Sequence, residues 1–323
     1  MNNMKRRRSI SKTLLDKLNE EGIYHEITEL VKIDPYLDME MRGEDGVMIY
    51  YRGGKILTIH EQLGLIGLDE NYYTKEDDVY LTPQVENILD YLCKAKHIID
   101  VHESREKSKL VEKEFQQRVV YENNLSANAD NTDFFIADVE WADNDTLGGR
   151  ADIVAFRWNH MEHRKRILQL TLIEVKQGDG AIETYETKNK RGELMLSAGL
   201  CKHFEDYLRF KENKDYVKDV AKDMLIVLKQ KKELGLIKGL DKLFVSGEKE
   251  VDPELIDKPA FIFLLANYHH YSSALKSESE KLPDDSLFYL SSFMGYGLYK
   301  DFVVTKKKLI EHFPDVFNKR SKL

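Results

Sequence analysis

Ten residues, Ile167-Leu168-Gln169-Leu170-Thr171-Leu172-Ile173-Glu174-Val175-Lys176, limit what this chain can fold into more than any other stretch. A nearly continuous apolar run of this length reads as a strand buried on both faces, at the centre of a sheet covered by helices. It ends in an acid-x-lysine tripeptide. Residues two apart in a strand project to the same face, so Glu174 and Lys176 emerge together at the strand's end. Isolated buried charge is costly, so the pair must be solvated, ion-paired or bound to a metal. The same spacing at Glu186-Thr187-Lys188 and Glu212-Asn213-Lys214 lies in polar surroundings and makes no such demand.

The pattern around this run predicts its neighbours. Phe134 to Trp141 and Ala151 to Trp158 read as the two preceding strands, and Ala260 to Ala266 as a later one. A polar loop is expected over Gln177–Lys190, then helices over Gly192–Phe210 and Tyr216–Lys232. Phe288 to Tyr299 is strand-like, and a short helix follows Val304. Upstream, Ile10 to Val31 has helical spacing, and Met48–Tyr51 with Ile56–Ile59 reads as a hairpin around Gly53-Gly54. A helix starting at Thr82-Pro83 runs through Cys93 and can continue to Asn123. The fold class expected is α/β, a mixed central sheet flanked by helices, with an N-terminal α+β region over residues 1–95 and the main domain over 96–323. The N-terminal region is expected to serve recognition or assembly.

Asp152 lies in Gly148-Gly149-Arg150-Ala151-Asp152-Ile153-Val154-Ala155-Phe156, just inside an apolar strand. If this strand and the next form a hairpin, Asp152 at the start of one meets Glu174 at the end of the other. Two converging carboxylates suit a hard cation such as Mg²⁺, which takes oxygen ligands and keeps several waters. A turn cap or an ion pair with Arg150 is the competing role. A third acid is sought on the preceding helix. With residues about 100° apart, Leu110, Val111, Phe115, Val119, Tyr121 and Leu125 form one stripe. Glu114 and Glu122 fall inside it and Glu112 at its edge, so Glu114 is the first choice and Glu122 the second.

A helix acid, an Asp on the second strand and Glu-x-Lys on the third resemble the PD-(D/E)xK nuclease superfamily over about residues 103–268. One departure is Arg150-Ala151 before Asp152, where the family's pattern has proline. The resemblance implies a restriction-endonuclease-like core of order αβββαβ. It implies a Mg²⁺- or Mn²⁺-dependent nuclease, an endonuclease acting on DNA, with Asp152, Glu174, Glu114 and the Val175 carbonyl as metal ligands. Lys176 would orient or deprotonate the attacking water. Arg150, Gln177, Lys202, His203 and Tyr207 become candidate contacts to substrate, the last three on the helix that follows the third strand. The alternative is a nuclease-like fold used as a non-catalytic binding or assembly module.

Net charge of −8 argues against a protein that coats nucleic acid by charge alone, but not against an enzyme acting on it. The longest apolar stretch, Ala260 to Ala266, is too short to span a bilayer. No apolar segment follows Lys5-Arg6-Arg7-Arg8, so no secretory signal is read and the cytosol is the expected compartment. Cys93 and Cys201, the two cysteines present, make a disulfide framework an unsuitable expectation. Gly53-Gly54-Lys55 lacks the remaining residues of a phosphate loop. The pairs His160/His163 and His269/His270 have no cysteine or histidine partners nearby, so zinc is not expected. Self-association into a homo-oligomer is left open.

Overall fold

In the computed structural model, residues 7–69, 72, 82–106, 111–142, 149–158, 165–188, 192, 194–246, 249–266, 272–291 and 296–312 are described. His160, His163, His269 and His270 lie outside them. Helices α1 (Lys12–Leu18) and α2 (His25–Ile33) precede an antiparallel sheet of β1 (Leu37–Met41), β2 (Val47–Tyr51), β3 (Gly54–His60) and β4 (Gly64–Ile66). Helices α3 (Ile88–Glu106) and α4 (Val111–Asn124) lead into β5 (Phe134–Ala142), β6 (Arg150–Arg157) and β7 (Ile167–Gln177). A small hairpin, β8 (Glu186–Lys188) with β9 (Leu194–Leu196), comes before α5 (Gly199–Glu212) and α6 (Lys214–Glu233). After α7 (Asp241–Phe244) and three two-residue strands, β10 (Val245–Ser246), β11 (Lys249–Glu250) and β12 (Glu254–Leu255), comes β13 (Ala260–Ala266). The chain continues through α8 (Ser273–Glu280), β14 (Leu287–Leu290), β15 (Val303–Thr305) and α9 (Lys306–His312).

The main sheet has the order β15-β14-β13-β7-β6-β5, with β12 beside the start of β7. β5, β6 and β7 form an antiparallel meander, β13 runs parallel to β7, and β14 parallel to β13. The expected α/β class with a mixed sheet is what the chain adopts. β7 is central, as its apolar run predicts, and every residue from Leu170 to Lys176 is buried. Even-numbered Leu168, Leu170 and Leu172 pack with Leu200, Phe210 and Met224 from α5 and α6. Odd-numbered Ile173 and Val175 pack with Val119 and Val120 of α4 on the opposite face. Edge strand β5 is protected by a side chain. The Asn124 amide at the end of α4 donates to Ile136 O at 2.9 Å and accepts from Ile136 N–H at 2.9 Å.

Local chemistry accounts for the boundaries that differ from expectation. The helical stretch from Ile10 to Val31 is two helices. The chain turns between them at Gly22, where a Cβ would lie 2.2 Å from Lys17 O. The β2–β3 hairpin turns on Arg52 and Gly53, with φ 46° and 85°, a turn whose twist suits the flanking strands. The loop expected after β7 contains β8, and the helix expected from Gly192 starts at Gly199. Of the strand expected over 288–299, Leu287–Leu290 is strand.

The core packed on the N-terminal sheet draws on residues well beyond 95. It includes Ile88, Tyr91, Leu92, Ala95 and Ile99 of α3, and it takes in Val227 of α6 with Leu234 and Leu236 beyond it. Buried charges join it to the main sheet. Arg42 at the end of β1 bonds Asp138 of β5, and Lys231 of α6 bonds Glu40 of β1 at 2.7 Å. Arg8 Nε lies 3.0 Å from Asp138, and Arg8 N–H donates to Asp223 of α6 at 2.6 Å. A bulge at Ala137 shifts the ladder register between Ile136 and Asp138, which pairs with Val154. Removing one partner from such a network leaves an uncompensated buried charge. Lys231→Met is therefore expected to cost about 3–5 kcal/mol in denaturant unfolding, and Glu40→Leu combined with Lys231→Leu to recover most of it.

Candidate active site

The ladder between β6 and β7 ends at Ile153↔Ile173, although both strands continue beyond that pair. From there β6 stays with β5 as far as Arg150↔Ala142, while β7 stays with β13 as far as Gln177↔Ala266. The sheet therefore splits, and Asp152 and Glu174 are the first residues on either side of the split. Parted strands leave backbone groups in need of partners. Asp152 supplies one, its Oδ2 accepting the Val175 N–H at 2.7 Å. Gly149 gives the start of β6 its close approach, since a Cβ there would lie 2.7 Å from the Trp141 ring and 2.8 Å from the Tyr216 hydroxyl.

Asp152, Glu174 and Lys176 are all buried, at 8%, 3% and 6% exposure, so none is an ordinary surface charge. Lys176 Nζ donates to Glu174 Oε1 at 2.8 Å. His203 of α5 brings Nδ1 to 3.0 Å from the same oxygen. Among the described residues, Asp152 Oδ1 and Glu174 Oε2 make no hydrogen bond. Burial pushes the Asp152 carboxyl well up, and the Glu174 charge pushes it further, against the pull of Lys176. Burial also raises Glu174, again opposed by Lys176. The His203 ring is pushed down to about 3 by burial, then by Lys176, Lys202 and Arg150, so it is neutral near pH 7.

Neither Glu114 nor Glu122, the first and second choices on the helix, pairs with a residue at the split. Glu114 turns to the N-terminal sheet, pairing with Arg52 at 3.3 Å and Arg118 at 3.1 Å. Glu122 bonds Asn128. Glu112, about 200° around the helix from Glu114, shares an electrostatic environment with the split. Burial raises its carboxyl, Lys176 lowers it, and its charge is felt at both Asp152 and Glu174. Its side chain is solvent-exposed, so it belongs to the rim of the site.

The candidate contacts divide. Arg150 is exposed at the rim, and its charge reaches Glu174, Glu112 and His203. Gln177 is half-buried at the end of β7, opposite Ala266. Lys202 pairs with Asp206 one turn on. Tyr207 is a core residue, not a contact. Its hydroxyl donates to Pro259 O at 2.9 Å and its ring stacks on Phe261 at 4.9 Å. Val175 is held by its backbone between the two acids, with its side chain in the core beneath α4.

Among the described residues, no group of three or more His, Cys, Asp or Glu side chains is placed to hold a metal ion. The Asp152/Glu174 pair nonetheless suits a hard divalent cation. Both buried carboxylates feel the charge of Lys176, and each keeps one oxygen without a hydrogen bond among the described residues. A cation retaining most of its waters needs only one or two such ligands. Comparison with protein-family models, curated proteins and solved structures finds no match to this chain.

A carboxyl raised on folding weakens the fold above its folded pKa, and the penalty fades as pH falls toward the unfolded value of about 4. The metal-free chain is thus expected to gain stability on acidification from pH about 8 to about 5. Asp152→Asn keeps an acceptor for the Val175 N–H and removes the charge. It should raise stability near neutral pH, on the order of 1 kcal/mol, and flatten the slope of thermal midpoint against pH.

Proposed function

We propose that the chain is a metal-dependent nuclease of the PD-(D/E)xK type, hydrolysing phosphodiester bonds in DNA. Under this reading α4, β5, β6, β7, α5 and β13 are the αβββαβ restriction-endonuclease-like core. The observation that carries it is the split between β6 and β7, which gathers Asp152, Glu174 and Lys176 on one buried crevice. A structural ion pair would need one acid and one base. The second buried carboxylate, Asp152, itself raised by burial and by the Glu174 charge, has no structural use beyond the Val175 hydrogen bond, and that bond needs only one of its oxygens.

Asp152 and Glu174 would hold the ion, Mg²⁺ or Mn²⁺, with the Glu112 charge nearby at the rim. When bound, the ion polarises the phosphate and lowers the pKa of a water. Lys176 keeps a proton-bearing ammonium beside the acids, where it can hold a phosphate oxygen or the attacking water and stabilise developing negative charge. Arg150 adds positive charge at the rim, suited to a phosphate on the flanking backbone. The N-terminal sheet would then serve recognition or assembly, fixed to the core through Arg42–Asp138 and Lys231–Glu40.

Single- and double-stranded DNA and RNA incubated with Mg²⁺ or Mn²⁺ provide the test. Cleavage of DNA is expected, with Lys176→Ala and Asp152→Asn each slowing it about 100-fold or more. Cleavage that survives both substitutions sinks the site. No cleavage of any substrate, with no ion bound by calorimetry, favours the non-catalytic binding or assembly module.

A further inference from the structure

Glu174 has a second partner that the acid-x-lysine spacing does not supply. Its Oε1 is approached from two sides, by Lys176 Nζ at 2.8 Å from the same strand and by His203 Nδ1 at 3.0 Å from α5. A ring nitrogen and a carboxylate oxygen sit at that distance favourably when the nitrogen carries a proton, because two lone pairs would repel. The His203 side chain is 20% exposed against 4% for Glu174, so the ring lies between the acid and solvent. It also stands in α5, the first of the α-helices that follow β7 and pack on the face toward which Glu174 and Lys176 point.

We propose that His203 is a positioning residue. It donates Nδ1–H to Glu174 Oε1 and, with Lys176, fixes the carboxylate so that Oε2 is left for a divalent cation shared with Asp152. This rests on the reading of Asp152 and Glu174 as a cation-binding pair. The alternative, His203 as a direct ligand, fits less well. The oxygen it approaches is already committed to Lys176, and no third ligand among the described residues joins the two. Hydrogen-bonded partners of metal-ligating groups orient them, and losing one weakens metal affinity by about 10–100-fold.

Two measurements on the full chain test this. Long-range ¹H–¹⁵N NMR of the histidine rings without metal, with the His203 signal assigned by its loss in His203→Asn, is expected to show a proton on Nδ1. A ring protonated on Nε2 alone overturns the proposal. Calorimetric titration with Mg²⁺ and with Mn²⁺ is expected to show binding weakened about tenfold or more in His203→Ala at an unchanged thermal midpoint. His203→Asn, whose side-chain N–H can reach the same oxygen, should restore most of the loss. Unchanged affinity in His203→Ala overturns the positioning while leaving the cation pair standing. Loss in both variants, confined to Mn²⁺, would instead make the ring a direct ligand and overturn it as well. A wild-type chain that binds neither ion sinks the cation pair itself, and the positioning with it.

Discussion

The separation of β6 from β7 at Ile153 and Ile173 is the constraint on which the rest of the site depends. An unbroken antiparallel ladder would pair the backbones through to Arg150 and Lys176 and leave no space between them. Where the strands part, Val175 loses its ladder acceptor, and the Asp152 side chain replaces it at 2.7 Å. One residue thereby does two things. Its Oδ2 completes the backbone accounting of the central strand, and its charge makes a second buried acid beside Glu174. Each half of the split stays rigid because each keeps its outer neighbour, β5 on one side and β13 on the other.

The energetics of this arrangement run against the fold. Burial raises both carboxyls, the Glu174 charge raises Asp152 further, and one close ammonium offsets only part of that cost. The surrounding layers are what hold it. Leu172, Val154 and Phe263 lie beneath the acids on their own face, and Ile173 and Val175 anchor the strand to α4 on the other. The ionic network between the two sheets is different in kind. There Arg8, Arg42 and Lys231 lie among Asp38, Glu40 and Asp138, and Lys231 and Arg42 oppose the upward push of burial on Asp38 and Glu40.

Much of this was legible in the sequence because a strand's period is two. The apolar run placed β7 at the centre, and Glu174 with Lys176 followed from spacing alone. Asp152 followed from supposing a hairpin. The helix acid did not follow, for a physical reason. A stripe analysis selects side chains that face the sheet's interior, and Glu114 does face inward, toward Arg52 and Arg118. The acid whose charge is felt at the split, Glu112, is in the first turn of α4 and at the edge of the stripe. Tyr207 was legible as a helix residue, but its burial against Phe261 depends on β13, about fifty residues later. The Arg42–Asp138 and Lys231–Glu40 pairs span 96 and 191 residues, separations at which local pattern carries no information.

Charge at two scales then bears on what meets the crevice. The whole chain carries −8, which repels polyanions at long range and weakens any binding that depends on general neutralisation. Near the split the balance is local. Arg150, Lys176 and Lys202 all depress the His203 ring, so their fields overlap at the mouth, while Asp152 and Glu174 lie beneath. Exposed charges beyond about 10 Å are screened at 0.1 M salt, and buried ones far less. In the crevice, therefore, the nearby cations outweigh the distant acidic surface. A ligand with an anionic group and a need for a cation matches that arrangement, acid below and base at the rim. A purely cationic partner would meet Arg150 first, and a purely anionic one would meet the uncompensated carboxylates. Under the proposed nuclease reading, a phosphodiester arriving with a divalent ion would satisfy both layers at once.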